Sequence, residues 1–405
     1  MHELKGKSFT EYLEILNTEG YKWIAKRLSG NDTGLTGGHQ AGVYFPRMFF
    51  EKFIPEVNTT ECHNPRVNFP CYMPQCDIKT DLRAIYYNSK HFPEKGLKKK
   101  YDEFRLTGWG GAEAPAQNSE NTGCILIFAV KKREAGYQAV ALVAESKEED
   151  KFFEEWLGEP VDPGSFYDSD RHLTFNHSSE DQHAEIPREW LDEFPTGRKI
   201  YEHIVELLPH AERSGSLDRL LLQRRAKEFE LFEIIEKFHV QPHLKEGFET
   251  LDKFLSLALS VANRRKSRSG MSLELNLESI FKEERLIFET QAMTETRKKP
   301  DFLFPSASAY HDPEFERSKL KMLAAKTCCK DRWRQVLSEA NKIEIKHLFT
   351  LQEGVSTNQL TEMDRGGLQL VVPEPNRKSF PRDWRRKILT LEEFISTVRQ
   401  QQLFL

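Results

Sequence analysis

The spacing of apolar residues divides the chain into a first part with strand patterns and a second part with helical patterns. In the first part, apolar residues fill two neighbouring runs, GCILIFAVKK and YQAVALVAES, joined by a short charged turn at 133–136. Two apolar runs around a tight turn predict a β-hairpin. Few helical periods interrupt this part, apart from an opening helix predicted around 9–28. The first part is therefore predicted to be mostly β.

The second part alternates helical and strand patterns. Apolar side chains three and four positions apart predict three amphipathic helices, at 217–238, 248–263 and 273–281. Strands are predicted around Asp301 and before Lys326, and again at HLFTL and LQLVVP. This alternation predicts an α/β sheet with the functional residues at the ends of its strands.

A stretch between the two parts has the composition of a linker. Residues 159–187 are rich in Pro, Asp, Ser and His and show no sustained periodicity, which is typical of irregular structure. The later half of this stretch is predicted to connect two domains. The predicted fold class is therefore α+β, with a domain at 1–178, a linker at 179–188 and a second domain at 189–405.

Composition and charge exclude several classes of protein. The chain has 405 residues, of which 38% are hydrophobic and 30% charged, and this suits a globular protein with two or three cores. A formal net charge of -4 excludes a uniformly basic protein, so any contact with DNA must be local. The longest apolar run, Cys124 to Val130, is far shorter than the ~20 residues of a membrane span, and the start lacks a signal-peptide pattern. A cytoplasmic protein is expected.

Cysteine and basic residues add two local observations. Six cysteines in a chain of this length predict reduced thiols rather than a disulfide framework. Basic residues cluster in four places, at 98–100, 264–268, 297–299 and 382–387. Each cluster alone is more typical of a solvated face than of a surface that binds phosphates, but two of them flank the acid and lysine set around Asp301.

The set around Asp301 has the residues of a metal-dependent phosphodiesterase. Such a reaction needs oxygen ligands for a divalent metal, a positioned water and a cation near the phosphate. Asp301 follows a proline, and Lys326 ends an apolar strand. The usual second acid, two residues before the lysine, is replaced by Ala324, but Glu339 lies off the apolar face of a helix predicted at 331–342. Glu339 is therefore predicted to replace that acid, although a surface turn and a solvated helix fit the spacing equally well.

Several segments of the chain resemble those of EcoRII-type restriction endonucleases, the type IIE group within the PD-(D/E)XK superfamily. The segments are NDTGLTGGHQAGVYFP, RAIYYNS, SVANRRKSRSGMSLELNLE, KKPDFLFPSASAYHD, KDRWRQ and HLFTLQEGVS. The resemblance implies an N-terminal, β-rich, B3-like pseudobarrel that binds DNA, and a C-terminal catalytic α/β domain of the restriction-endonuclease type. It also implies that a relocated glutamate, here Glu339, is a trait of the wider group.

The resemblance implies catalytic roles for the acid and lysine set. Asp301 and Glu339 would ligate Mg²⁺, and Lys326 would orient the attacking water and balance charge on the phosphate. Glu274 is implied as an outer acid. Glu274 and Glu278 would both face solvent in the alternative interpretation, but their like charges four residues apart favour a nearby cation.

Two further groups are implied to contact bases. Arginine reads guanine by paired hydrogen bonds and aspartate accepts from cytosine, so the resemblance implies that the triplet of Lys330, Asp331 and Arg332 reads C·G pairs. Without the resemblance, a charged helix start explains the triplet equally well. Arg225 and Phe229 lie four apart on a predicted helix, which suits either a pocket for a flipped base or plain core packing.

The first domain is implied to bind a second copy of the target as an effector. Five residues are implied to make these contacts, namely His39, Tyr44, Lys90, Glu103 and Arg105. A tight glycine turn with a surface histidine is the alternative for the first of them. Three residues are expected to be peripheral to the active site, namely Tyr310, Lys266 and Glu278.

These observations together predict a Mg²⁺-dependent type IIE restriction endonuclease that acts on double-stranded DNA. The resemblance implies cleavage of CCWGG before its first C, stimulation by a second site bound at the N-terminal domain, and a companion cytosine methyltransferase that protects host DNA. Two-fold symmetry of the DNA implies a homodimer. The alternative is a two-domain, sequence-specific DNA-binding protein with an inactive nuclease site, and retention of Asp301, Lys326 and Glu339 favours the enzyme.

Overall fold

The computed structural model describes most of the chain, in the ranges 6–37, 42–92, 102–169, 186–209, 216–295, 298–330 and 332–403. Two predicted site residues, His39 and Asp331, lie outside these ranges, as do most of the predicted linker and the basic cluster at 98–100. We call the described residues up to 169 the N-terminal half and those from 186 the C-terminal half.

The N-terminal half is a curled eight-stranded sheet with three helices. The strands are β1 (Lys22–Arg27), β2 (Val43–Tyr44), β3 (Arg66–Met73), β4 (Ile78–Tyr87), β5 (Glu103–Thr107), β6 (Ile125–Arg133), β7 (Gly136–Ala144) and β8 (Phe166–Asp168). The helices are α1 (Phe9–Thr18), α2 (Arg47–Phe53) and α3 (Lys147–Leu157). The strand order is β2-β5-β4-β3-β7-β6-β1-β8, and every neighbouring pair is antiparallel except β3 with β7.

The edges of this sheet approach each other. Tyr44 on edge strand β2 and Phe166 on edge strand β8 have ring centroids 6.1 Å apart. The sheet therefore curls toward a closed barrel, as expected for a pseudobarrel, and leaves little exposed strand edge.

The predicted hairpin is confirmed as β6 and β7, which pair antiparallel along their whole length. Successive side chains of a strand point to opposite faces of the sheet. Alternate residues of β6 therefore enter two apolar clusters, with Leu126, Phe128 and Val130 inside the curl and Ile125, Ile127 and Ala129 beneath α1 and α3. Because both faces are covered, the first six residues of the strand are all apolar, which explains the uninterrupted run in the sequence.

The opening helix is shorter than predicted. Helix α1 ends at Thr18, and Gly20 then has a φ of 72°, the left-handed conformation that commonly ends helices. Residues 22–27 form β1 instead of continuing the helix. Their apolar side chains alternate between clusters, since Ile24 packs inside the curl while Trp23 packs outside. The prediction of helix beyond residue 18 was wrong because the burial of both strand faces produced a run that also fits a helical period.

The C-terminal half is a five-stranded mixed sheet packed between helices. The strands are β9 (Glu289–Thr290), β10 (Phe302–Phe304), β11 (Lys321–Lys326), β12 (Lys346–Thr350) and β13 (Leu368–Val371), in the order β13-β12-β11-β10-β9. β9, β10 and β11 are antiparallel, whereas β11, β12 and β13 are parallel. The helices are α4 (Glu189–Asp192), α5 (Gly197–Leu207), α6 (Leu217–Glu246), α7 (Leu251–Glu283), α8 (Ala307–His311), α9 (Trp333–Val336), α10 (Thr357–Arg365), α11 (Glu374–Arg377) and α12 (Leu391–Gln402).

One long helix replaces two predicted ones. The helices expected at 248–263 and 273–281 are both part of α7. The polar residues between them carry no proline, and Gly270 lowers helix stability by only about 1 kcal/mol, so nothing in the segment ends the helix. Among the described residues, no helix is long and apolar enough to cross a membrane.

The two halves have separate apolar cores and meet through polar contacts. Each of the five apolar clusters lies wholly in one half. Between the halves, the N–H of Gly30 donates to the carbonyl of Glu353 at 2.6 Å and Ser356 Oγ donates to Glu120 at 2.9 Å. A Cβ at Gly30 would lie 2.0 Å from the carbonyl oxygen of Ser379, so this close approach requires glycine. The predicted two-domain α+β class is confirmed.

Candidate active site

Asp301 and Lys326 form an ion pair where β10 and β11 run side by side. Asp301 immediately precedes β10, and Lys326 is the last residue of β11. The Oδ2 atom of Asp301 accepts hydrogen bonds from the backbone N–H of Ala325 at 2.8 Å and from Nζ of Lys326 at 2.9 Å. Its Oδ1 atom accepts from Nε2 of Gln291 at 3.1 Å. Three donors therefore fix the orientation of this nearly buried carboxylate.

Glu339 approaches this pair from a turn rather than from a helix. Helix α9 ends at Val336, and Ala340 has a φ of 46°, a left-handed conformation that an α-helix cannot include. The helix predicted at 331–342 is therefore wrong beyond residue 336. The apolar spacing that suggested it comes from side chains of a turn that all pack on one cluster.

The small side chain of Ala324 makes room for this turn. Ala324 shares its face of β11 with Lys326, and it packs in one apolar cluster with Val336 and Ala340. These two residues flank Glu339 in the chain. An acid at position 324 would be buried in the same apolar cluster as this turn.

The Glu339 carboxylate is short of donors and close to another acid. Its Oε2 atom is buried and has no hydrogen-bond partner among the described residues. Burial raises the pKa of Glu339 to about 7, the negative charge of Asp301 adds to the rise, and Lys326 and Lys298 oppose it. The Glu339 carboxylate, with its unpaired oxygen, therefore lies near the Asp301 carboxylate, and a bound cation would neutralise the two negative charges.

Of Glu274 and Glu278, which both lie on α7, Glu274 is the one that faces the ion pair. Burial raises the pKa of Glu274, the charge of Asp301 adds to the rise, and Lys326 opposes it. Glu278 instead forms an ion pair with Lys282 one turn along the helix. The geometry therefore supports Glu274 as the outer acid and a peripheral place for Glu278.

The acids fit a hard divalent cation that keeps part of its water shell. Among the described residues, no three His, Cys, Asp or Glu side chains lie close enough together to hold a metal ion by themselves. Mg²⁺, however, is usually bound by one or two carboxylates together with waters and substrate phosphates. Asp301 and Glu339 supply two carboxylates, and the unpartnered Oε2 atom of Glu339 is free to act as a ligand.

Glu274 and Lys326 border a cleft that both halves of the chain line. The cleft has a volume of about 590 Å³. The C-terminal half contributes Lys326, Glu274 and Arg332, and the N-terminal half contributes Arg27, Glu154, Glu155 and Asp162. A cavity of this size accommodates a small molecule but not a DNA duplex. Acids and bases of the N-terminal half therefore lie beside Lys326 in this conformation.

The predicted base readers lie beside the cleft in different environments. Lys330 is buried. Its Nζ donates to the backbone carbonyls of Ala144, the last residue of β7, at 3.4 Å and of Glu145 at 3.0 Å. Arg332 is exposed and lines the cleft. Asp331 lies outside the described residues. The N-terminal half therefore holds Lys330, which must be released before it can contact a base.

The residues predicted to hold a flipped base contact other side chains. Arg225 is buried, its Nη1 donates to Ser272 Oγ at 3.0 Å, and its Nη2 lies 3.6 Å from a carboxylate oxygen of Asp162. The guanidinium of Arg268 lies 4.5 Å from the ring centroid of Phe229. An arginine thus covers the ring face that a base would stack on. The pocket stays a prediction, and it would require both groups to move.

The described effector candidates lie at one edge of the N-terminal sheet. Tyr44 on β2 pairs in register with Arg105 on β5 and is 38% exposed. Arg105 forms an ion pair with Glu103 at 2.6 Å and donates to the carbonyl of Gly42 at 3.1 Å. Lys90 lies 3.7 Å from Asp102, the residue before β5. The structure thus brings this group together, except for His39, which lies outside the described residues.

Tyr310 and the basic cluster at 264–268 serve mainly in packing. Tyr310 is fully buried, donates to Glu295 and accepts from the N–H of Lys342 at 3.1 Å. It therefore supports the turn that carries Glu339 and stays peripheral to the chemistry. In the basic cluster, the arginines at 264, 265 and 268 contact rings or acids, whereas Lys266 is exposed and lines the cleft.

Two acids near the site carry no signal in the sequence. Asp162 accepts from Ser269 Oγ at 2.8 Å and lies 3.7 Å from Arg268, and Glu159 lies 3.0 Å from Arg265. Both acids fall at the start of the stretch that the pattern assigns to irregular structure. Their partners lie more than a hundred positions further along the chain, so no local motif indicates them.

Comparison with known proteins matches both halves of the chain. A family model described as "Restriction endonuclease EcoRII, N-terminal" matches residues 17–172, and one described as "EcoRII C terminal" matches residues 232–395. The "Type II restriction enzyme EcoRII" of Escherichia coli is 42% identical over 398 residues, which cover 96% of this chain and 96% of that protein.

Three solved structures show more distant likeness. "Metal-depleted Ecl18kI in complex with uncleaved, modified DNA" is 16% identical and covers 54% of this chain and 81% of that chain, with a TM-score of 0.45. "Restriction endonuclease PspGI-substrate DNA complex" is 17% identical and covers 53% and 96%, with a TM-score of 0.42. A UbaLAI restriction endonuclease B3 domain with cognate DNA is 20% identical and covers 40% and 98%, with a TM-score of 0.28. These likenesses are too remote to carry an argument.

Proposed function

The chain belongs to the EcoRII family of type II restriction enzymes, and from this premise we propose that it cleaves double-stranded DNA at a short specific site in the presence of Mg²⁺. The observation that carries the proposal is the convergence of Asp301, Lys326 and Glu339 from three segments of the C-terminal half. The alternative is a DNA-binding protein with an inactive nuclease site. Such a protein would gain nothing from two neighbouring acids whose negative charges repel each other unless a metal cation is bound.

Each of these side chains has a role in the proposed reaction. When bound, Mg²⁺ would neutralise charge on the scissile phosphate and make a water more acidic. Asp301 and Glu339 would hold it, and the hydrogen bond from Lys326 to Asp301 sets the direction of the lysine ammonium. Lys326 would then donate to a phosphate oxygen and orient the attacking water. The water oxygen bonds to phosphorus, the P–O3′ bond breaks, and the 3′ oxygen takes a proton, leaving 5′-phosphate and 3′-hydroxyl ends.

Digestion of plasmid DNA tests the proposal directly. With Mg²⁺ we expect discrete fragments whose sequenced ends share one short site and carry 5′-phosphates. Chelation by EDTA should abolish cleavage and added Mg²⁺ should restore it, because the two carboxylates are themselves negative and a divalent cation is needed to offset the charge that develops on the phosphate. Fragments without a common sequence, or no cleavage with any divalent metal, would contradict the proposal.

The described conformation is closed, and we propose that effector DNA opens it. The cleft beside Lys326 is too small for a duplex, and Lys330 is bound by carbonyls of the N-terminal half. Asp162 of the same half lies against Arg225 and Arg268, where DNA phosphates would otherwise compete for both guanidinium groups. If a second DNA site binds the N-terminal half more tightly when the two halves are separated, its binding would shift the protein toward that separated arrangement.

Finer features of the proposal rest on the family resemblance. They are the target CCWGG, cleavage before its first C, effector contacts through His39, Tyr44, Lys90, Glu103 and Arg105, a homodimeric assembly, and a companion cytosine methyltransferase. A two-fold DNA site suits two identical subunits, each of which would cut one strand. The domain limits 1–178 and 189–405 are part of the same proposal, and the separation of the apolar cores supports them.

Replacing Arg332 with alanine should relax the choice of base. Loss of a paired contact to guanine would cost ~1 to 3 kcal/mol of discrimination against the wrong base. Cleavage rates on a set of duplexes that each carry one altered base pair would measure the effect. Arg334→Ala is a matched control, because Arg334 lies nearby in α9, is 55% exposed at its side chain and pairs with Glu362. An unchanged base preference in Arg332→Ala would remove this residue from the readers.

A further inference from the structure

The loop after β11 connects the candidate cutting residue to the candidate reading residues. Lys326 ends β11, and Lys330 and Arg332 follow on the same loop. A connection this short transmits any change in loop shape to both groups. A contact that fixes the loop therefore also fixes the positions of Lys330 and Arg332 relative to the scissile phosphate.

Gln352 holds this loop through its side-chain carbonyl. Its Oε1 atom accepts from the backbone N–H of Cys329 and from that of Lys330, both at 3.0 Å, and lies 3.3 Å from Sγ of Cys328. Its Nε2 atom donates to the carbonyl of Gly354 at 2.8 Å. Gln352 is 1% exposed, so water is not at hand to replace these bonds.

The other contacts between the ends of β11 and β12 stop earlier in the loop. Thr350 Oγ1 and the backbone N–H of Leu351 both donate to the carbonyl of Thr327 at 3.2 Å. These bonds continue the pairing of two parallel strands by one residue. Gln352 extends the attachment to residues 329 and 330, where the backbone has left the strand.

Gln352 also lies where the N-terminal half docks. A Cβ at Gly123 would lie 2.5 Å from Nε2 of Gln352, so a glycine there leaves the space that the amide occupies. The side chain that shapes the loop is therefore clamped between the two halves. Gln352 therefore belongs both to the surface where the halves dock and to the set of contacts that holds the loop after β11, which we call the reading loop.

We infer that Gln352 is a positioning residue that sets the base readers in register with Lys326, and so contributes to target discrimination without touching DNA. This inference rests on the proposed function, because it takes Lys330 and Arg332 as readers. Glutamine suits the position because one neutral carbonyl oxygen accepts two N–H bonds while its amide donates. Without that oxygen, two buried N–H groups would be left unpaired and the loop would rearrange to satisfy them.

Substitutions at Gln352 in the full chain test this inference. Gln352→Met keeps the length and removes the acceptor, Gln352→Asn keeps the amide but is too short, and Gln352→Glu keeps an oxygen in place. We expect Gln352→Met and Gln352→Asn to lower the ratio of cleavage at the target to cleavage at sites with one altered pair by about 10- to 100-fold. Gln352→Glu should restore most of that ratio. Gln369→Leu on strand β13 is the control, because the Gln369 side chain donates to the backbone carbonyl of Lys387 at 2.9 Å and lies outside the loop.

Hydrogen exchange gives a second readout that does not depend on cleavage. The amides of Cys329 and Lys330 should exchange faster in Gln352→Met or Gln352→Asn than in the wild type and the control. If the wild type does not cut DNA, the proposed function fails, while the exchange result still decides whether Gln352 holds the loop. A merely structural glutamine would lower the melting temperature and leave discrimination unchanged. That outcome, in whichever of the two variants folds, would overturn the inference.

Discussion

Replacing Lys326 with alanine is expected to slow DNA cleavage by about 10²- to 10³-fold or more, the usual cost of removing one preorganised donor from a charged transition state. The side chain is fixed by its 2.9 Å bond to Asp301, so its ammonium is already aimed when the phosphate arrives. Cleavage in a single turnover with Mg²⁺ measures the loss. The affinity for specific DNA, measured without a divalent metal, should change only a few-fold, because many phosphate contacts together provide the free energy of binding.

Lys321→Ala is the matched control for this result. Lys321 lies at the other end of the same strand, far along β11 from the cleft, so it should leave the cleavage rate unchanged. Removing Lys326 also leaves the Asp301 carboxylate with one donor fewer, and thermal unfolding must show that the variant is folded. A folded Lys326→Ala protein that cuts at the normal rate would show that the active site is wrongly assigned.

Removing residues 1–180 is expected to produce a fragment that cleaves DNA with a single site about 5- to 150-fold faster than the full chain, the usual range of coupling between two sites. The deletion takes away every N-terminal side chain that lines the cleft and the two carbonyls that hold Lys330. It also frees Arg225 and Arg268 from Asp162. The fragment should no longer respond to a second DNA site in trans.

The fragment should fold, because none of the apolar clusters crosses between the halves. A milder variant that combines Asp162→Asn with Glu159→Gln should give part of the activation, since it removes charge from the contacts with three arginines. Glu134→Gln, which makes the same change of charge in the exposed turn between β6 and β7, should give none. A folded fragment without activity, or a full chain that cuts single-site DNA equally fast, would contradict the closed state.

Local patterns in the sequence predicted one hairpin of the N-terminal sheet, four of the five strands of the C-terminal sheet and the chemistry of the candidate site. The hairpin of β6 and β7 follows from two apolar runs around a charged turn, and Asp301 and Lys326 lie at strand ends as predicted. These features depend on neighbours within one or two elements, and periodicity reports such neighbours well. The same reasoning placed Glu339 near the pair, but for a reason that was wrong, because a turn and not a helix carries it.

The errors share one physical cause. A run that is buried on both sides, such as β1, satisfies a strand period and a helical period alike, so α1 was extended too far. The predicted helix at 331–342 failed in the same way, because its apolar residues pack on one cluster from a turn in which Ala340 is left-handed. In both cases tertiary packing, rather than local preference, chose the backbone conformation.

The sequence by itself determined the class of chemistry, the division into two parts and the family of the chain, because these depend on residue types and short segments in a fixed order. Only the tertiary structure decided that the N-terminal half holds Lys330, whose ammonium donates to the carbonyl of Glu145 across 185 positions of sequence. It likewise decided that Asp162 faces Arg225 and that Gln352 supports the reading loop. Such contacts arise when separately folded halves dock, and surfaces that dock through polar groups leave no periodic pattern along the chain.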